Sequence, residues 1–125
     1  MSIKALKITY WILTSIFVLA MLADAYGGLS QQEAGKEALK HLGYPAYALV
    51  IFGTAKLLGA LAILQTRYKT LKEWAYSGFV INCTGAAMSH VFVGDSAGIV
   101  IAPLILLAFT LLTYYFWKRY QSATA

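Results

Sequence analysis

Apolar residues run in four long blocks, from Ile8 to about Tyr26, Pro45 to Leu64, Trp74 to Val93 and Ile99 to Trp117. A helix crossing a hydrocarbon core of roughly 30 Å needs about 20 predominantly apolar residues, and each block has that length. An open-ended segment satisfies its backbone in lipid only as a helix, so the blocks read as helices and not strands. Polar punctuation closes the first three: Gly27-Gly28, then Gln65-Thr66-Arg67, then Gly94-Asp95. The pattern predicts an all-α fold, an integral-membrane four-helix bundle forming one domain over residues 1–125. No internal repeat, low-complexity stretch or linker divides it.

Only the connection between the first and second blocks is long. Ser30 with Glu33 three residues later has the form of a capping box, which starts a helix. Ala34, Ala38, Leu39 and Leu42 fall on one face of it, with Glu33, Lys36, Glu37 and Lys40 mostly elsewhere, and Gly43 then Pro45 end it. The expectation is a short amphipathic helix at the outer interface, capping the mouth of the bundle.

The basic residues orient these spans. Lys4, Lys7, Arg67, Lys69, Lys72, Lys118 and Arg119 fall on one side, while Lys36 and Lys40 on the other are offset by Glu33 and Glu37. By the positive-inside rule both termini are cytoplasmic. Trp11, Trp74 and Trp117 fall at that same interface, and Tyr26, Tyr44 and Tyr47 mark the opposite one. The first block also has the outline of a signal peptide, with Lys4 and Lys7 ahead of it and Ala23-Asp24-Ala25 at its end. A retained spanning helix is the expectation.

Composition supports the same class. Hydrophobic residues make up 60% of the chain and charged residues 12%, against about 25% charged in a soluble domain. The net charge of +5 is mostly the basic flank of the spans, attracted to anionic inner-leaflet lipid, and needs no nucleic acid. The single thiol, Cys83, excludes an internal disulfide and a CxxC redox pair, and reads as a small packing residue.

Candidate chemistry rests on ionisable residues inside the blocks. Lys56 lies about 16 Å below the outer interface at 1.5 Å per residue. Its position at a helix centre costs about 2.5–3.5 kcal/mol on insertion scales, so it should face a partner or a polar cavity. Asn82 matches it in depth on the third block. Asp24 and His90 match each other nearer the outer ends. Asn82, Ala86, Ser89 and His90 share one helical face. Lys56 with Asn82 makes a deep tier and Asp24 with His90 a shallow one. A Lys56–Asp24 pairing between tiers is the second choice, and an Asp24–His90 pair that merely locks two helices is the structural alternative. Together these residues outline a polar cavity opening toward the outer leaflet. Ala55 with Gly59 and Gly85 with Ser89 are small-xxx-small pairs that permit close packing.

No catalytic set, phosphate loop or HExxH motif is present, so the catalytic residues are unknown and no metal site is expected. His41 and His90 would share a haem or metal only if the surface helix folded inward.

Several strings bear a family likeness: His41-Leu42-Gly43-Tyr44-Pro45-Ala46-Tyr47, Ala55-Lys56-Leu57-Leu58-Gly59, Lys72-Glu73-Trp74-Ala75-Tyr76-Ser77-Gly78-Phe79, Ser89-His90, Gly94-Asp95 and Pro103-Leu104. In order and spacing, from about His41 to Tyr115, this resembles the DoxX-like family of small four-helix bacterial membrane proteins. The first helix resembles it less clearly, so Asp24 has no support from the family. The resemblance implies a four-helix membrane bundle in the bacterial inner membrane and little about activity. The wider group includes a membrane subunit associated with thiosulfate:quinone oxidoreductase and assembly or maturation factors.

The expected function is an accessory membrane subunit, at most an accessory subunit of a redox complex, that binds a small amphiphile. A quinone or a lipid-like molecule would sit at Lys56, with Asn82, Ser89, His90 and Asp24 around it and apolar walls from the second to fourth spans. No cofactor is implied with certainty; a quinone is the candidate. The alternative is an assembly helper that docks on other membrane proteins through its outer faces. A transporter or channel would require an oligomer.

Overall fold

The computed structural model describes residues 1–125 and is all-helical. Its five helices are α1 (Ile3–Leu29), α2 (Glu33–His41), α3 (Ala48–Leu64), α4 (Lys69–Phe92) and α5 (Ala97–Thr124). The helix α1 packs against α3 and α5, α4 packs against the same two, and α2 rests on α3. Two helices, α1 and α5, are long and apolar enough to cross a membrane, while α3 is apolar but shorter at 17 residues.

The surface explains why such helices need a non-aqueous environment. Large apolar side chains such as Ile12, Ile16, Leu19, Ile81 and Ile105 are exposed on the outside. The interior is aromatic and closely filled, with Tyr10, Phe17, Tyr76, Phe79 and Trp117 among its buried members. Trp117 therefore belongs to the core, not to an interfacial belt, whereas Trp74 is exposed.

Helix ends depart from the sequence expectation in an instructive way. Gly27 and Gly28 do not stop α1, which continues to Leu29. Gly28 instead makes room for α3: a Cβ there would lie 2.9 Å from the Leu49 carbonyl oxygen and 3.1 Å from the Gly53 Cα. Gly53 meets α1 just as closely, so this glycine pair is where α1 and α3 cross. Gly59 accommodates the Phe79 ring, while a Cβ on Gly85 would meet nothing within 4 Å. The Gly85–Ser89 pair is thus not a helix crossing.

Ser30 does not form the expected capping box. Its Oγ donates to the Tyr26 carbonyl at 2.7 Å, finishing α1, and Gln32 takes the N-cap position of α2. Helix α2 forms where the amphipathic pattern placed it, with Gly35 seated over Leu49, but none of its residues is fully buried. A positive φ at Gly43 (86°) ends it, and a positive φ at Gly94 (79°) follows α4. At both ends paired 6→1 and 5→2 backbone bonds form a Schellman motif: Tyr44 N–H to Leu39 with Gly43 N–H to Lys40, and Asp95 N–H to His90 with Gly94 N–H to Val91.

Candidate functional site

Lys56 is the central residue of α3, and Asn82 lies on the facing side of α4. Both line a groove of about 290 Å3 whose other walls are mostly apolar, including Phe52, Leu58, Ala62, Ala75 and Phe79. The groove is open along one flank, between α3 and α4 alone; α5 contributes nothing to it. From Lys56 it extends through Leu58, Gly59 and Ala62 to Leu71 and Trp74. It therefore runs toward the end of the molecule that carries the termini, not toward the outer mouth expected from the sequence. The reason is steric: small residues at Ala62, Ala75 and Gly78 line the space below Lys56, whereas above it Phe52 packs edge-on against Tyr44, whose hydroxyl bonds Ser89 of α4.

Lys56 Nζ donates to Asp24 Oδ2 of α1 at 3.4 Å, and no hydrogen bond joins Lys56 to Asn82. The pairing across tiers is thus the one observed. The lysine side chain is 24% exposed and the aspartate 54%, so the pair sits at the edge of the α1–α3 contact and not within a sealed core.

His90 and Ser89 lie elsewhere, at the α2 end. The Schellman motif after α4 brings Asp95 back beside His90, whose Nδ1 is 2.7 Å from Asp95 Oδ2. His41 of α2 reaches the other carboxylate oxygen, with Nε2 2.7 Å from Oδ1. Tyr44 and Ser89 are joined at 2.7 Å. Since the single Ser89 proton goes to the Gly85 carbonyl at 2.8 Å, the Tyr44 hydroxyl is the donor. These contacts latch α2 onto α4. Asp24 therefore does not pair with His90, and Ser89 and His90 do not line the groove that holds Lys56 and Asn82. No group of three or more His, Cys, Asp or Glu is placed to hold a metal ion; the two histidines converge on a carboxylate.

The latch has a defined acid sensitivity. Hydrogen bonds from His90, then from His41, hold the Asp95 carboxyl below its usual value of 3.8. A carboxyl whose folded-state pKa is depressed stabilises the fold fully above the unfolded value, and that contribution is lost as pH falls through the folded value. Asp95→Asn is expected to make trypsin cleavage at Lys36 and Lys40 several-fold faster at neutral pH, with the four long helices intact. Wild-type α2 should lose its hydrogen-exchange protection only below pH 3.8. Equal cleavage of both proteins would mean that α2 is held by other contacts.

Sequence reasoning missed Lys72. It was counted with the basic flank, yet it lies in the first turn of α4 and is only 2% exposed, bonded to the Tyr10 hydroxyl. A lysine placed one turn into a helix and beside aromatic positions on two others carries this information only once the helix start is known.

The DoxX-like family profile matches residues 12–113. The chain belongs to the DoxX-like family. The match takes in most of α1, Asp24 included, so the likeness extends further toward the N-terminus than the quoted strings indicated. No curated protein and no solved structure matches the chain. Membership of the DoxX-like family, together with the two long apolar helices, makes this a membrane protein and gives its exposed apolar faces a lipid environment.

Proposed function

We propose that this DoxX-like protein is a multi-pass protein of the bacterial inner membrane, a four-helix bundle with both termini cytoplasmic. Its groove between α3 and α4 holds a small amphiphile. The observation that carries this reading is an ammonium group at the centre of α3, lining an apolar groove together with an amide. Ligand sites of this kind are mostly apolar with a few convergent polar groups that fix orientation. Lys56 donates to the head, Asn82 orients it, and the tail lies along Leu58, Ala62 and Ala75. Because Asp24 already balances much of the lysine charge, an uncharged acceptor such as a quinone or ester carbonyl fits better than an anionic head. Such a binding role suits an accessory subunit.

Gly78 supplies the test. It lines the groove, and a Cβ there meets nothing within 4 Å, so a side chain can start at this position without a backbone clash, and leucine is chosen to fill the space beside it. Native mass spectrometry of the purified protein should find a retained amphiphile in the wild type and none in folded Gly78→Leu. Absence of a small molecule from both, or equal retention in both, would overturn the proposal. A stoichiometric protein partner in its place would favour an assembly helper.

A further inference from the structure

A second cavity, of about 490 Å3, lies at the end of the molecule that carries both termini. Lys72 forms part of its wall, with Lys7 of α1 and Lys69 of α4 beside it. The remaining polar groups are mostly hydroxyls and an amide, among them Thr66, Tyr120 and Gln121, and none of the lining side chains is acidic. The terminal residue Ala125 borders the cavity, but no ion pair joins it, or any carboxylate, to these three lysines.

Lys72 makes this more than a basic surface. Its side chain is held between the Tyr10 ring, 4.8 Å from Nζ, and the Trp117 ring at 5.2 Å. An ammonium has three protons to donate, and the Tyr10 hydroxyl accepts one. Buried charges are as a rule paired, because desolvation of an unpaired one is costly. Glu73, its neighbour in sequence, is committed to Lys118 at 2.8 Å. Lys56 has a carboxylate, and Lys72 has none.

We infer that this cavity binds a phosphate group, with Lys72 at its base and Lys7 and Lys69 at its rim. Three cations and several neutral donors surround the space, and no acidic side chain would repel a phosphate there. The same chemistry would recognise either the phosphodiester of an anionic lipid headgroup or a free soluble phosphate. Diffuse attraction between the basic flank and anionic lipid differs from such a site, because it would depend equally on every flanking cation. The inference is independent of the α3–α4 groove.

Thermal unfolding separates these cases. Wild type and three single variants, Lys72→Met, Lys69→Met and Lys4→Met, are melted in uncharged detergent with sodium phosphate against sodium chloride of equal ionic strength. The same proteins are melted in phosphatidylcholine nanodiscs with and without phosphatidylglycerol. Lys72→Met should fold, since it removes an unpaired buried charge whose desolvation is costly and keeps the length and apolar stem of the side chain. Lys69 is exposed, so its variant tests the site without a core change. The expected result is a rise in wild-type Tm with at least one ligand, abolished in Lys72→Met, reduced in Lys69→Met and kept in Lys4→Met, which removes a cation outside the cavity. A rise with phosphate alone assigns a soluble ligand, and a rise with phosphatidylglycerol alone assigns a lipid headgroup. No rise with either, an unchanged response in Lys72→Met, or an equal loss in Lys4→Met overturns the inference.

Discussion

Lys56→Met is expected to weaken amphiphile binding by about 10–100-fold while leaving an inserted, folded protein. A hydrogen bond from a charged donor contributes about 1.5–3 kcal/mol, and each 1.4 kcal/mol is tenfold in affinity. Methionine keeps the length and apolar stem of the side chain, so the groove walls persist. Asp24→Asn separates this reading from a structural one. If Lys56 and Asp24 serve only to join α1 to α3, the two substitutions should lower stability alike and leave ligand retention unaffected. If Lys56 holds a ligand head, Asp24→Asn should retain binding and shift preference toward anionic amphiphiles, because the lysine then carries an uncompensated charge. Binding isotherms for a carbonyl-headed and a carboxylate-headed amphiphile of equal tail length would distinguish the two. Unchanged affinity in Lys56→Met would remove the lysine from the site.

The second large effect is a change of sign between two glycine-to-alanine substitutions. At Gly53 a Cβ would lie 3.1 Å from the Leu29 nitrogen, 3.2 Å from the Ala25 oxygen and 3.3 Å from the Gly28 carbonyl carbon. All three are backbone atoms of α1, which cannot rotate away as a side chain does. Overpacking of this kind costs about 1–3 kcal/mol, which outweighs the roughly 0.8–1.0 kcal/mol that alanine gains over glycine in a helix. Gly53→Ala should therefore lower the melting temperature, and Gly53→Val should lower it further. At Gly85 nothing opposes the substitution within 4 Å, so only the helix-propensity gain remains and Gly85→Ala should raise it. Circular-dichroism melts of the pair provide the check. Stabilisation of both would mean that α1 and α3 do not cross at Gly28 and Gly53.

Much of this architecture is legible in the chain, for identifiable reasons. The apolar blocks are long and uninterrupted, so all four long helices and the amphipathic α2 are visible without a structure. Termini are less visible because glycine has two uses: Gly43 and Gly94 end helices through positive φ, while Gly28 and Gly53 sit inside helices and let backbones approach. Pairing among the polar residues was harder still. Position along a helix gives depth, but the rotation of each helix selects the partner. Because Gly28 faces Gly53, Asp24, four residues before Gly28, lies nearly level with Lys56, three residues after Gly53, so the two tiers read from block lengths coincide between α1 and α3. His90 had a nearer partner than Asp24, and it was readable: Gly94 at the position after the cap brings the next residue, Asp95, back against the last turn of α4. Lys72 was hidden because its burial depends on Tyr10 and Trp117, which lie far from it in sequence.

The direction of the groove was also not readable, since it depends on which small residues of α3 and α4 face each other. That direction is where the functional account is most exposed to test. An amphiphile carrying a photoreactive group at the end of its tail, bound to the purified protein and mapped by mass spectrometry, probes it directly. Labelling concentrated on Leu58, Ala62, Leu71 and Ala75, and lost in Gly78→Leu, is the predicted result. Labelling spread evenly over the outer faces of α1 and α5, at Ile12, Ile16 and Ile105, would contradict it.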